Sequence, residues 1–221
     1  EIGYATSKVF AKNGYNVHLA SRNISELQNK KNQIEINYSV KCQISHLDIE
    51  NDENINSFLL NNPKAPNIIL LAAGLLETTK TTKEKILNVN YISQVNFIEK
   101  LITKYKSQNI LNTIIGISSV AGDRGRKDID VYSSSKSSYS LYLEKLRQRY
   151  VDKKIHVMII KPGWVNTKMI KDKKIPRVLT VSSDFVGKKI FQAYKNKKNT
   201  IYVPNIWFII MFIYRLIPNF V

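Results

Sequence analysis

With 221 residues, of which 43% are hydrophobic and 23% charged, the chain has the length and composition of one folded α/β domain with a single substantial core, which excludes a disordered polymer. Its 34 Lys and Arg against 17 Asp and Glu give a formal charge of +17, read either as lysines spread over solvated helix faces or as attraction to an anionic membrane surface. Nucleic acid is not expected, because no zinc-finger spacing, RNA-binding sheet signature or basic region with heptads accompanies the charge.

The spacing of apolar residues predicts a helix over 2–13, stopped by Gly14 at its C-cap, then a strand over 15–20 and a helix over 24–36. A strand over 41–47 holds Cys42, the lone cysteine, which excludes an internal disulfide and fits a small buried residue in a reducing, cytoplasmic compartment. Next come a short helix over 55–60, a buried apolar strand over 67–73 and a long helix over 83–106. A strand over 113–118, a helix over 132–150, a strand over 155–160 closed by Pro162 and Gly163, a helix over 183–194 and a strand over 200–203 complete the order. His18, His46 and His156 are isolated in strand-like stretches and read as core or rim positions, so no metal is expected. Strand and helix alternate as in βαβ units, and the expected fold is a doubly wound α/β sheet, parallel, with helices on both faces.

The chain enters its first helix with no strand before it. A sheet in the order 3-2-1-4-5-6 has its first strand at the centre, and without it two neighbours lack a ladder partner. The expectation is therefore an N-terminally truncated domain over 1–204, whose parent starts about ten residues earlier, followed by an apolar tail over 205–221.

Chemistry concentrates around residue 130. Tyr132 and Lys136 stand four apart on one predicted helix and so share a face. An adjacent ammonium lowers a phenol from its ordinary pKa of about 10 towards the working pH, and a phenol so placed exchanges protons. Ser119, next to Ser118 at a strand end, offers a hydroxyl to a substrate oxygen on which charge builds. The Tyr–Lys spacing alone also fits a surface helix; the upstream serines turn the reading towards catalysis.

Taken together in order, these motifs resemble the short-chain dehydrogenase/reductase superfamily, whose Rossmann-type fold binds NAD(P), over nearly the whole chain. Ile2 and Gly3, in Glu1-Ile2-Gly3, look like the end of that family's glycine-rich turn, whose helix N-terminus takes a pyrophosphate. Ala73 and Gly74, in Leu71-Ala72-Ala73-Gly74, stand where the family has N-N-A-G, here without its asparagines. The resemblance implies Asn90 as part of a proton relay, Ser119 as catalytic serine, Tyr132 as acid/base, and Lys136 as the partner that also binds the nicotinamide ribose. Pro162, Gly163, Val165 and Thr167 are similar to the P-G-x-x-x-T stretch that holds the carboxamide, and Asp48 and Ile49 to the adenine-contacting pair. At the end of the second strand, Ser21 stands where a carboxylate would select NAD, and Arg22 follows it; this favours NADP(H), with NAD possible and a merely solvated arginine as the plain alternative.

Within the family, the stretches around Gly74, Asn90, 118–126, 179–181 and 203–218 resemble reductases of a keto-pentofuranose carried on a polyprenyl phosphate. This implies a small-molecule or lipid-linked carbonyl substrate, with Arg124 and Arg126 available to a phosphate. A soluble ketone or ketoacyl reductase and a non-catalytic dinucleotide-binding protein are the competing readings. The apolar tail, continuous over 206–214 and resuming after Arg215, falls short of the roughly 20 residues a bilayer span needs. It reads as a peripheral membrane contact through 206–217, on the inner face, or as a core or dimer contact. Homo-oligomerisation is expected from family habit.

Overall fold

The run Thr113–Ile117 is buried along its whole length and forms β4, a central strand covered on both faces. The computed structural model describes residues 1–77, 81–125, 129–152, 155–170 and 179–217. Seven other strands accompany it there: β1 (Val17–Ser21), β2 (Cys42–His46), β3 (Ile68–Leu71), β5 (His156–Pro162), β6 (Trp164–Asn166), β7 (Thr180–Ser182) and β8 (Thr200–Val203). The helices are α1 (Ile2–Lys12), α2 (Ile24–Tyr38), α3 (Asp52–Asn61), α4 (Lys83–Leu87), α5 (Ser93–Tyr105), α6 (Asp130–Tyr150), α7 (Ser183–Lys195) and α8 (Ile206–Leu216).

All strand pairs are parallel. The main sheet runs β3-β4-β5-β8, β1 pairs with β2, and β6 with β7. Alternate residues of β4 and β5 feed opposite layers, as a period of two requires. Ile114, Val157 and Ile159 meet Phe97, Ile98 and Leu101 of α5 and Tyr139, Leu143 and Leu146 of α6. On the other face, Ile115, Ile117, Met158 and Ile160 meet Phe10 of α1 and Val186 and Ile190 of α7. Helices on both faces of a parallel sheet make the expected doubly wound α/β fold.

Among the described residues, β1 pairs only with β2, and β3 only with β4. Between the open edges of β1 and β3 lies a groove of about 1060 Å³, lined by Leu19, Leu71, Phe97, Leu101 and Ile115 among others.

Element boundaries follow the sequence closely. Helix α1 ends at Asn13, and Gly14 follows at φ 82, the left-handed conformation that glycine adopts without a Cβ penalty. Cys42 is buried beside Leu19, Leu27 and Ile34, whereas His18 and His46 lie exposed at the rim. The predicted single helix over 83–106 is instead three pieces, because the turn Asn88–Ile92 between α4 and α5 is a π-helix. The hydrophobic spacing on either side is helical in both cases, so composition gives no sign of the widened turn.

Candidate active site

The sequence-selected residues gather at the carboxyl ends of the parallel strands. Ser21 closes β1, Asp48 lies just past β2, Ala73 and Gly74 past β3, Ser119 past β4, and Pro162 closes β5. Gly3, Ser21, Arg22, Asp48, Ile49, Ala73 and Gly74 line the same groove. Ile2 packs under it with Phe10, Ile115 and Val165. Glu1 Oε1 accepts from the Lys168 backbone N–H at 2.6 Å, which brings the segment after Thr167 against the start of α1.

A second cluster surrounds Tyr132. Burial raises the Tyr132 phenol above its ordinary pKa, and the nearby Ser119 hydroxyl opposes the rise; the net direction is upward. Lys136 is 3% exposed. Its Nζ donates to the Ile117 carbonyl at 3.0 Å, and burial pulls its pKa down to about 8. The depressed phenol expected from the Tyr–Lys spacing is therefore not the state of this structure: desolvation dominates at both groups, and it favours the neutral form of each.

Asn90 is fully buried, turned inward by the π turn. Its carboxamide closes on Leu75, accepting from N–H at 2.7 Å and donating to C=O at 2.8 Å, and donates to Ser135 Oγ at 3.1 Å. A Cβ built on Gly74 would lie 3.5 Å from Lys136 Nζ and 3.6 Å from Asn90 Oδ1, so this glycine leaves open the space between the groove and the two side chains. At Gly163 a Cβ would meet Trp207 Nε1 at 1.9 Å; the backbone N–H there donates to Val203 at 2.9 Å. Val165 is buried on β6. Arg22 ion-pairs with Glu50 at 3.7 Å, and Glu50 also takes Lys85 at 2.7 Å. Arg126 lies outside the described residues.

Several contributors carried no local signal. Glu77 Oε1 accepts from the N–H groups of Val131 and Tyr132 at 2.9 and 3.2 Å, capping the helix that bears the Tyr–Lys pair from more than fifty residues away. Gln94 Nε2 donates to the carbonyls of Ala73, Val89 and Asn90, tying the π turn to the end of β3. Ser118 Oγ lies 2.7 Å from Ser140 Oγ and donates to Lys136 O at 3.0 Å, fixing α6 on β4.

A dinucleotide fits these residues. The carboxyl end of the groove offers Ser21, Arg22, Asp48 and Gly74, and α1 presents its N-terminus without a side-chain cap on its first N–H groups. In doubly wound sheets dinucleotides bind outside the carboxyl ends of the strands, where these residues lie. Residues 1–177 match the family model described as short chain dehydrogenase, and the chain belongs to that family of oxidoreductases.

Similar curated proteins include carbonyl reductase family member 4 of Xenopus laevis, 26% identical over 179 residues, 78% of this chain and 75% of the relative. Another is 17-beta-hydroxysteroid dehydrogenase type 3 of Rattus norvegicus, 26% identical over 86% of this chain and 64% of the relative. Among solved structures, a short-chain dehydrogenase from Sphingobium yanoikuyae in complex with NADPH superposes with a TM-score of 0.81 at 15% identity, covering 92% of this chain and 84% of that one.

Proposed function

We propose that this protein is an NADP(H)-dependent reductase that converts a ketone to a secondary alcohol, with Tyr132, Ser119, Lys136 and Asn90 as its working groups. The carrying observation is twofold: Lys136 and Asn90 approach each other beside Gly74, past β3, and the Ser119 hydroxyl past β4 acts on the Tyr132 phenol one helical turn from Lys136.

A nicotinamide held here would supply the hydride for the carbonyl carbon. Tyr132 gives its phenolic proton to the carbonyl oxygen, so the products are a secondary alcohol and the oxidised nucleotide. A phenol raised by burial stays protonated at neutral pH, the form an acid needs. Ser119 donates to the same oxygen and stabilises its growing charge. Lys136 would hold the ribose and return to Tyr132 a proton that it regains from solvent, while Asn90 ties the loop after Gly74 through Leu75. Pro162, Gly163, Val165 and Thr167 hold the carboxamide. Arg22 pairs with the 2′-phosphate, a guanidinium match that favours NADP(H); the NADPH bound to the Sphingobium dehydrogenase supports the choice.

Tyr132→Phe tests the reading. Turnover of an activated ketone should fall on the order of 10³-fold, with NADPH affinity within about threefold as followed by nucleotide fluorescence. Undiminished turnover refutes the role of the phenol.

One observation favours a narrower substrate. Helix α8 buries Trp207 and Met211 but exposes Phe208, Ile209, Phe212, Ile213 and Leu216, each more than half accessible. Among the described residues no helix is long and apolar enough to cross a membrane. With the charge of +17, this face suits contact with an anionic bilayer, and the substrate reading that goes with it is a keto-sugar on a polyprenyl phosphate. Co-sedimentation with anionic phospholipid vesicles, lost in a Phe208→Ser/Phe212→Ser variant, supports it. Indifference to vesicles, or a dimer dissociated by the same variant, assigns the face to a second copy and leaves a soluble ketone as substrate.

A further inference from the structure

Behind the proposed active site, one carboxylate collects groups from three elements that the reaction scheme does not use. Asp123 follows the short turn Val120–Gly122 after Ser119 and has a side chain only 1% exposed. Its Oδ1 takes Lys161 Nζ at 2.6 Å and Arg215 Nη2 at 2.9 Å, and its Oδ2 accepts from Tyr202 Oη at 2.6 Å. Lys161 immediately precedes Pro162 and Gly163, Tyr202 lies on β8, and Arg215 is in the last turn of α8. A buried carboxylate satisfied on both oxygens by two cations and a phenol is costly to disturb from any one side.

Two more contacts join the same turn to α8. Val120 packs on Trp207 and Met211, and the Arg124 guanidinium lies 4.6 Å from the ring centroid of Tyr214 and bonds its carbonyl. The turn itself is tight: Ala121 N–H donates to Ser119 Oγ at 3.1 Å, and Gly122 N–H to Ser119 O at 3.1 Å. A shift of Asp123 is therefore passed to the hydroxyl of Ser119 within four residues. On its other side, α8 holds the indole of Trp207 against Gly163.

We propose that Asp123 is a positioning residue that pins α8, through Lys161, Tyr202 and Arg215, to both the Ser119 turn and the Pro162–Gly163 turn, and so sets the rate of the chemical step. Its kinetic part rests on the reductase reading above; its structural part does not. Trp164 and Trp207, the only two tryptophans of the chain, meet edge to face at 5.2 Å between α8 and that second turn, and report on how α8 is seated.

The test uses the full chain with Arg215→Gln, Arg215→Lys and Tyr202→Phe. Arg215 has a half-exposed side chain, so its variants are expected to fold even where Asp123→Asn, which strands the buried Lys161, does not. Expected for Arg215→Gln and Tyr202→Phe are a red-shifted, more quenchable tryptophan emission and faster amide exchange at Ala121 and Gly122, with α5 and α6 unchanged and Arg215→Lys close to wild type. With NADPH and 2,3-butanedione as probe, kcat should fall about tenfold while KM for NADPH stays within about twofold. Unchanged emission and exchange overturn the proposal whatever the activity. Altered emission with unchanged kcat, in a protein that Tyr132→Phe inactivates, overturns the kinetic part alone; a wild-type chain that oxidises no NADPH with any ketone refutes the reductase reading instead.

Discussion

The indole of Trp207 lies against Gly163 so closely that a Cβ at that position would meet Nε1, Cε2 and Cδ1 at 1.9, 2.2 and 2.5 Å. The indole is a rigid plane, 2% exposed, and has nowhere to yield except by moving α8. Gly163→Ala should destabilise the protein by about 1–3 kcal/mol, the range for an overpacked core, and red-shift the tryptophan emission. Denaturant unfolding followed by fluorescence measures both.

Nucleotide choice should reside in Arg22. Its removal in Arg22→Ala should weaken NADPH binding tenfold or more, about 1.4 kcal/mol, and change NADH binding little, since only the 2′-phosphate calls for the guanidinium. Glu50 competes for the same group at 3.7 Å, so Glu50→Gln should move the NADPH to NADH ratio in the opposite direction. Fluorescence titration of both nucleotides decides the matter; equal losses for the two would remove Arg22 from the specificity role.

Lys136 carries its charge in a buried place, and the stability effect has a definite sign. Its folded pKa of about 8 lies below the ordinary 10.5. Below pH 8 both states hold the proton and the fold bears the cost of burying it. Between 8 and 10.5 the folded state has released a proton that the unfolded chain still binds, so stability rises with pH across this window. Lys136→Met, though inactive, should be more stable than wild type at pH 7 by on the order of 1–2 kcal/mol, after the lost bond to Ile117 is counted. The advantage should shrink as the pH is raised through that window, which thermal unfolding at several pH values can follow.

How much of this was legible in the residues depended on how local the cause was. Gly14 stopping α1, the buried run of β4 and the Tyr132–Lys136 spacing all act within a few residues, and pattern alone places them. Asn90 was legible as a candidate for the site, but the π turn that aims it was not, because a widened turn keeps the apolar spacing of an α-helix on either side. Glu77 capping α6 and Asp123 gathering Lys161, Tyr202 and Arg215 are contacts across 38 to 92 positions, and nothing near either acid in the sequence announces its partners. The phenol's pKa was read in the wrong direction because spacing does not show the burial that raises it and lowers that of the Lys136 ammonium.

The open edges of β1 and β3 make a further expectation. Residues added ahead of Glu1 that supply a four- or five-residue parallel strand, apolar on both faces, should pair with both edges and fill the groove floor. Hydrogen exchange should then slow at Val17–Ser21 and Ile68–Leu71, and the melting temperature should rise. An extended chain whose exchange at both strands matches that of this one would show that the groove is not a strand site.

The π turn at Asn88–Ile92 also constrains which length changes the chain can tolerate. Each residue of an α-helix advances the direction of its side chains by ~100°, but the wider π turn takes up one extra residue with little net rotation, so deleting one residue here would restore regular α geometry with α4 and α5 nearly in register and would draw in the residues of the widened turn itself. Ile86 would keep its place in the core, but Asn90 would swing away from Leu75 and Ser135. The length of this segment is thus held by the polar contacts of Asn90. Its length should prove far less forgiving than its composition: conservative replacements at Val89 or Tyr91 should pass where any single-residue deletion fails.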